Sequence, residues 1–172
     1  MIFSTTKYET QKYDMVFSED DFEIRFYYSA LKAKVVSQTN SNGNFYKLFQ
    51  FIGGNNSKAE KIAMTTPVYM KNDNNFNTME FVMPANYDIE TISKPNDKNV
   101  VIYESEAKYY ACVRYGGYSN TEKFNMHSKK LIKKLSELNI KTVGDLFYVS
   151  YNSPYKILNR RNEVMIEIEY NY

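Results

Sequence analysis

Few residues in this chain are of a type that does chemistry by itself. His127 is the only histidine, three residues after Phe124 and four before Leu131, at the margin of a helical apolar stripe. There it can serve as a metal ligand or an acid–base group. The reading favoured here is a half-buried helix residue, hydrogen-bonded at the surface of the packed sheet. Cys112, the only cysteine, shares a strand face with Tyr110 and Arg114 and is followed by Val113. No histidine stands near it in sequence to act as a base, and pairing in space with His127 stays open. A structural thiol is favoured. One cysteine also excludes an internal disulfide and gives no sign of a secreted framework.

Met64 and Met70 flank Pro67, and Met79 and Met83 follow on the next alternating stretch. Thioethers bind iron weakly and more often fill irregular gaps in a core. Together they would make a soft, adaptable wall for a flat ligand. Lys58, Lys61, Lys156, Arg160 and Arg161 suit ligand carboxylates, against the plainer reading of solvated turns. There is no zinc-ligand spacing, phosphate loop, paired-carboxylate signature or nucleophile elbow, so nothing argues for an enzyme.

The bulk composition narrows the partners. A net charge of +2 and a pI near 8.4 provide no global field for nucleic acid. Aromatic residues make up 16% of the chain, which favours strands or a surface that stacks on flat ligands. Lys129, Lys130, Lys133 and Lys134 read as the wet face of a helix with at most a weak attraction for acidic partners or anionic lipid. No run approaches the length of a membrane span, and the N-terminus turns polar by its fourth residue, unlike a signal peptide. A cytoplasmic protein of one domain, residues 1–172, is expected, with residues 1–12 as an N-terminal arm.

Hydrophobic periodicity supplies the elements that must hold these residues. Strands are expected over residues 22–28, 30–36, 61–70, 78–84, 100–104, 108–115, 146–158 and 163–170. Phe45, Leu48, Phe49 and Ile52 fall at i, i+3, i+4 and i+7 and predict a helix that ends at Gly53-Gly54. A second helix should open on a capping box of Ser119 and Glu122 and carry Phe124, Leu131, Leu135 and Leu138 on its apolar face. The two halves, about 22–84 and 100–170, repeat the order strand–strand–helix–strand–strand. Each has a proline within a strand, Pro67 or Pro154, read as matching bends. Two such α+β units would share one curved or barrel-like sheet with both helices outside.

The segments KIAMTTPV, FVMP, RYGGYS and YNSPYKILNRRNEVMI resemble the SOUL haem-binding family, from about Tyr13 to Tyr170. The Glu23–Arg25 triplet matches the family's opening. The resemblance implies a distorted eight-stranded antiparallel barrel with two helices. It also implies binding of haem and related tetrapyrroles in a shallow apolar groove with a basic rim, beside the first helix and the late hairpin. On this sequence the implied contacts are Phe45, Leu48, Phe49, Ile52, Lys61, Met64, Lys156, Arg160 and Arg161. Some members carry a histidine shortly after the E-I-R triplet; here Phe26 follows, so strong axial coordination from that position is ruled out. Covering ~300–400 Å² of apolar ligand surface would return ~8–10 kcal/mol. Association costs several kcal/mol of that, which leaves micromolar binding suited to a carrier or buffer. The alternatives are a protein-interaction module that has lost the ligand and a sensor of other apolar small molecules on the same fold.

Overall fold

The alternating stretches become strands and the two stretches of helical period become helices in a computed structural model that describes residues 8–38, 43–73, 75–152 and 156–171. In chain order the elements are β1 (Glu9–Thr10), β2 (Tyr13–Glu19), β3 (Phe22–Tyr27), β4 (Ala30–Gln38), α1 (Asn44–Ile52), β5 (Thr65–Thr66) and β6 (Val68–Asn72). There follow β7 (Phe76–Val82), β8 (Val100–Ser105), β9 (Lys108–Gly116), α2 (Thr121–Glu137), β10 (Lys141–Ser150) and β11 (Arg161–Glu169). The fold is α+β. Nine strands form one strongly curled antiparallel sheet in the order β2-β3-β9-β11-β10-β6-β7-β4-β8. Eight of these overlap the expected strands, although β10 spans Lys141–Ser150 where 146–158 was expected, and β2 adds a ninth at one edge.

The duplication is visible in the topology. Let β3, β4, β6 and β7 of the first half correspond to β8, β9, β10 and β11 of the second. Exchanging the two sets reverses the order of the eight central strands and otherwise leaves it unchanged. The pseudo-twofold axis therefore passes between β6 and β10, which pair as Tyr148↔Met70, Val149↔Tyr69 and Ser150↔Val68.

Each half covers one face of its sheet with its helix. Leu48, Phe51 and Ile52 of α1 pack with Leu31, Ala33, Val35 and Phe81, and Leu131 and Leu135 of α2 pack with Phe22, Ile24, Val113 and Val164. The buried stripe of α1 thus runs through Phe51. Phe45 and Phe49 turn outward, 36% and 51% exposed. Helix α2 departs from the expected capping box. Asn120 is the N-cap, its side chain accepting from the Lys123 N–H, while the Ser119 hydroxyl pairs with Tyr115. An Asx side chain one residue further on captures the orphan N–H more directly.

The face turned away from the helices is also covered. Tyr27, Tyr69, Cys112, Val149, Tyr151 and Met165 form a third buried cluster there. Alternation in β3 therefore separates two buried environments, with Phe22 and Ile24 on the helix side and Glu23, Arg25 and Tyr27 inside the curl. Pro67 separates β5 from β6. Upstream of it the chain pairs in parallel with the N-terminal segment, Glu9↔Thr65 and Thr10↔Thr66; downstream it joins the main sheet. With no N–H to donate, proline suits this transfer between ladders. Pro154, the expected counterpart of Pro67, lies outside the described residues.

Candidate functional site

Across the symmetry axis, directly opposed residues share a face of the sheet. On the helix side this places Met79 of β7, Met70 of β6 and Tyr148 of β10 in one row over three neighbouring strands. The three form the floor of an open groove of about 780 Å³, with Phe45 of α1 on one side and Phe124 of α2 on the other. Phe124 meets Tyr148 edge-on at 6.4 Å, and Phe45 meets the buried Phe81 edge-on at 5.5 Å. A β-bulge between Val143 and Phe147, where Gly144 takes a φ of 69°, brings Asp145 and Leu146 to the edge of the groove. Glycine permits that backbone without a Cβ clash, and the three residues 144–146 stand opposite the single residue Ile166, which re-aims their side chains.

The rim is amide and acid. Asn44, Asn72, Asn77, Asn120 and Asn125 line it with Asp73 and Asp145. Asp145 pairs with Lys71 at 2.6 Å. The Asn75 and Phe76 N–H groups hold the Asp73 carboxyl below its ordinary pKa, so it stays charged. Asn44 is buried; its Nδ2 donates to the Asn77 carbonyl, and its Oδ1 has no partner among the described residues. A buried acceptor without a donor is uncommon and marks a place where a ligand group can bond.

Of the residues expected to bind ligand, only Phe45 lines this groove. Phe49 continues the same outward face, stacked on Phe45 at 5.8 Å and 14°. Leu48 and Ile52 belong to the core and have no area left for a ligand, because the helix turns them onto β4 and β7. Met64 is half-buried against that core, and Lys61 and Lys156 are exposed. Arg160 donates to the Lys156 carbonyl and lies over the Tyr118 ring. Arg161 is engaged by Glu163 through Nε and Nη2, at 2.9 and 2.7 Å, and lies over the Tyr151 ring. The expected basic rim is therefore not the rim of the large groove.

His127 is half-buried with its ring stacked on Tyr115 at 4.3 Å and 9°, and burial lowers its pKa. Its Nδ1 is buried with no partner among the described residues, so stacking takes the place of the expected hydrogen bond. Cys112 is buried on the opposite face of the sheet, and burial pushes its thiol pKa up, as an inert structural thiol requires. No cluster of three or more His, Cys, Asp or Glu able to hold a metal ion occurs among the described residues.

With this geometry in place, a family model settles the affiliation: the SOUL heme-binding protein model matches residues 8–167. The chain belongs to the SOUL heme-binding family. Among curated SOUL relatives, heme-binding protein 1 of Mus musculus is 27% identical over 128 residues, covering 70% of this chain and 67% of that protein. Heme-binding protein 1 of Xenopus laevis is 25% identical over 163 residues, covering 90% and 84%. Two solved structures share the fold. The EcmrR C-terminal domain has a TM-score of 0.62 at 11% identity, covering 86% of this chain and 96% of that one. A hydrolase from Listeria innocua has a TM-score of 0.61 at 9% identity, covering 90% and 94%. At such identities the likeness concerns the fold alone.

The SOUL motifs also place a charged network inside the sheet. Arg25, from the Glu23–Arg25 triplet, is fully buried and donates to Glu163 at 2.7 and 2.8 Å, to Glu23 at 2.7 Å and to the Tyr27 hydroxyl at 3.0 Å. Tyr151 donates to Glu163 at 3.1 Å. Burial alone would raise the Glu163 pKa; the Arg25 and Arg161 guanidiniums outweigh it and hold the carboxyl below its ordinary range. This network ties β3 to β11 across β9. Its signal in the sequence was a charge at alternate positions of strands too apolar to lie in water. Among the described residues, no helix is long and apolar enough to cross a membrane.

Proposed function

We propose that this protein binds haem or a related tetrapyrrole non-covalently in the valley between α1 and α2 and acts as a carrier or buffer, not as an enzyme. The observation that carries this reading is the Met79–Met70–Tyr148 floor between Phe45 and Phe124, a slot of about 780 Å³. That volume is within the usual range for small-molecule sites, roughly 300–1,000 Å³. The soft floor and aromatic walls suit a flat apolar ring, and the Phe45–Phe49 stack extends the surface along α1. Family membership supports the ligand class. Among the described residues no cation lines the slot, so propionates would point outward, where Lys61, Lys156 or Arg160 would meet them only as screened surface contacts. The test is a titration followed in the Soret band. Saturable one-to-one binding that Phe45→Asp with Phe124→Asp removes, in a protein that still unfolds cooperatively, supports the reading. Binding unaffected by that pair of changes rejects the slot.

Asp73 and Asp145 at the rim favour a second reading, a sensor of flat amphipathic cations on the same fold. In a thermal-shift comparison, larger stabilisation by aromatic cations than by porphyrins would support it.

A further inference from the structure

We propose that the connection between β10 and β11 docks on an anionic lipid bilayer, with Ile157 and Leu158 entering the headgroup boundary and Lys156 and Arg160 meeting the lipid anions. Neither apolar residue lines the slot, and the docking needs no tetrapyrrole. Ile157 and Leu158 are 72% and 75% exposed, the highest values of any large apolar residue among the described ones. Apolar side chains scattered singly over a protein surface are ordinary. Two adjacent ones at the tip of a connection are not, because both branched aliphatic groups stand in water.

The local geometry presents this pair. Asn159 turns the chain with a φ of 52°, and the Arg160 guanidinium donates to the Lys156 carbonyl at 2.7 Å. That bond closes a short loop with Ile157 and Leu158 at its tip and a cation at each foot. The Arg160 guanidinium also lies 4.6 Å from the centre of the Tyr118 ring, which is 53% exposed. The Lys123 ammonium donates to the Tyr118 carbonyl at 3.1 Å. Basic and aromatic side chains sit well at headgroup level around inserted aliphatic ones. Charge agrees with this partner: segments 116–125 and 156–162 carry Lys123, Lys156, Arg160 and Arg161 against the single acid Glu122. A protein partner fits less well, since a tip this small covers far less than the ~800 Å² per side of a stable protein interface.

The experiment uses the full chain, free of ligand, with vesicles of phosphatidylcholine alone and of equal parts of phosphatidylcholine and phosphatidylserine. Wild type should sediment with the anionic vesicles at low salt, and roughly tenfold less with the neutral ones or at high salt. Ile157→Ser with Leu158→Ser should lower partitioning onto the anionic vesicles roughly tenfold, and so should Lys156→Ala with Arg160→Ala. The chain has no tryptophan, so Leu158→Trp places a single reporter at the tip. Its emission should shift to the blue on anionic vesicles, while that of Tyr46→Trp, on the exposed face of α1, should not. Equal sedimentation of the serine pair and wild type, or a shift confined to the α1 reporter, overturns the docking. Wild type that stays in solution with both vesicles also overturns it, and a protein partner lost with the serine pair would then make the tip a protein contact.

Discussion

Truncating Phe49 to alanine separates binding from folding. The ring is 51% exposed on α1 and stacked on Phe45, so it contributes little to the core. A phenylalanine side chain presents about 150–250 Å², of which about half is open to a ligand. Alanine keeps the Cβ, so some 80 Å² of contact would go, or about 2 kcal/mol at ~25 cal/mol/Å². Porphyrin affinity should therefore fall roughly 30-fold. Stability should stay within about 0.5 kcal/mol, the usual range for a surface change. The assay pairs a Soret titration with urea unfolding of the same sample. Leu48→Ala is the mirror image, a loss of about 2–5 kcal/mol of stability from a fully buried site. An affinity change below about threefold for Phe49→Ala would refute the claim that the ligand extends along α1.

Glu163→Gln leaves the buried Arg25 guanidinium short of its main counter-charge and should cost about 3–5 kcal/mol in urea unfolding; a loss below 1 kcal/mol would contradict the network's role. In wild type the Glu163 carboxyl is held below its unfolded pKa, so its contribution is present above that pKa and is lost as pH falls through the lower folded value; a stability–pH profile of Glu163→Gln should lack that acidic loss. Burial lowers the His127 pKa, so its contribution is present above the unfolded value and is lost as pH falls through the folded one; His127→Phe should flatten the stability profile in mildly acidic buffer, and an unchanged slope there would contradict it. Asn120→Ala should cost about 1 kcal/mol through loss of the α2 cap, and Ser119→Ala less; the reverse ranking in thermal unfolding would restore the capping box.

Much of the fold was legible because alternation and helical period are local signals. The strands of both halves, both helices and the duplication could be read from Phe22-Ile24, Leu31-Ala33-Val35 and Leu131-Leu135 and their counterparts. The site was less legible. The pattern Phe45, Leu48, Phe49 and Ile52 fits one apolar stripe, yet Phe51 completes the buried face and leaves both outward phenylalanines to the surface. Periodicity cannot rank apolar residues around a helix that is apolar on more than one side. The groove floor depends on the register that sets Met79, Met70 and Tyr148 side by side, a non-local pairing. Arg161 looked free as a member of a charged turn; only the structure brings Glu163 and Tyr151 against it.

The most direct measurement is the chemical-shift map of the amide and methyl signals on adding metal-free protoporphyrin. Ring-current shifts should concentrate on Phe45, Phe49, Met70, Met79, Phe124 and Tyr148, on both sides of the β6–β10 junction. Shifts concentrated instead on Tyr27, Tyr69, Tyr110 and Tyr151, inside the curl of the sheet, would place the ligand on the opposite face and contradict the account.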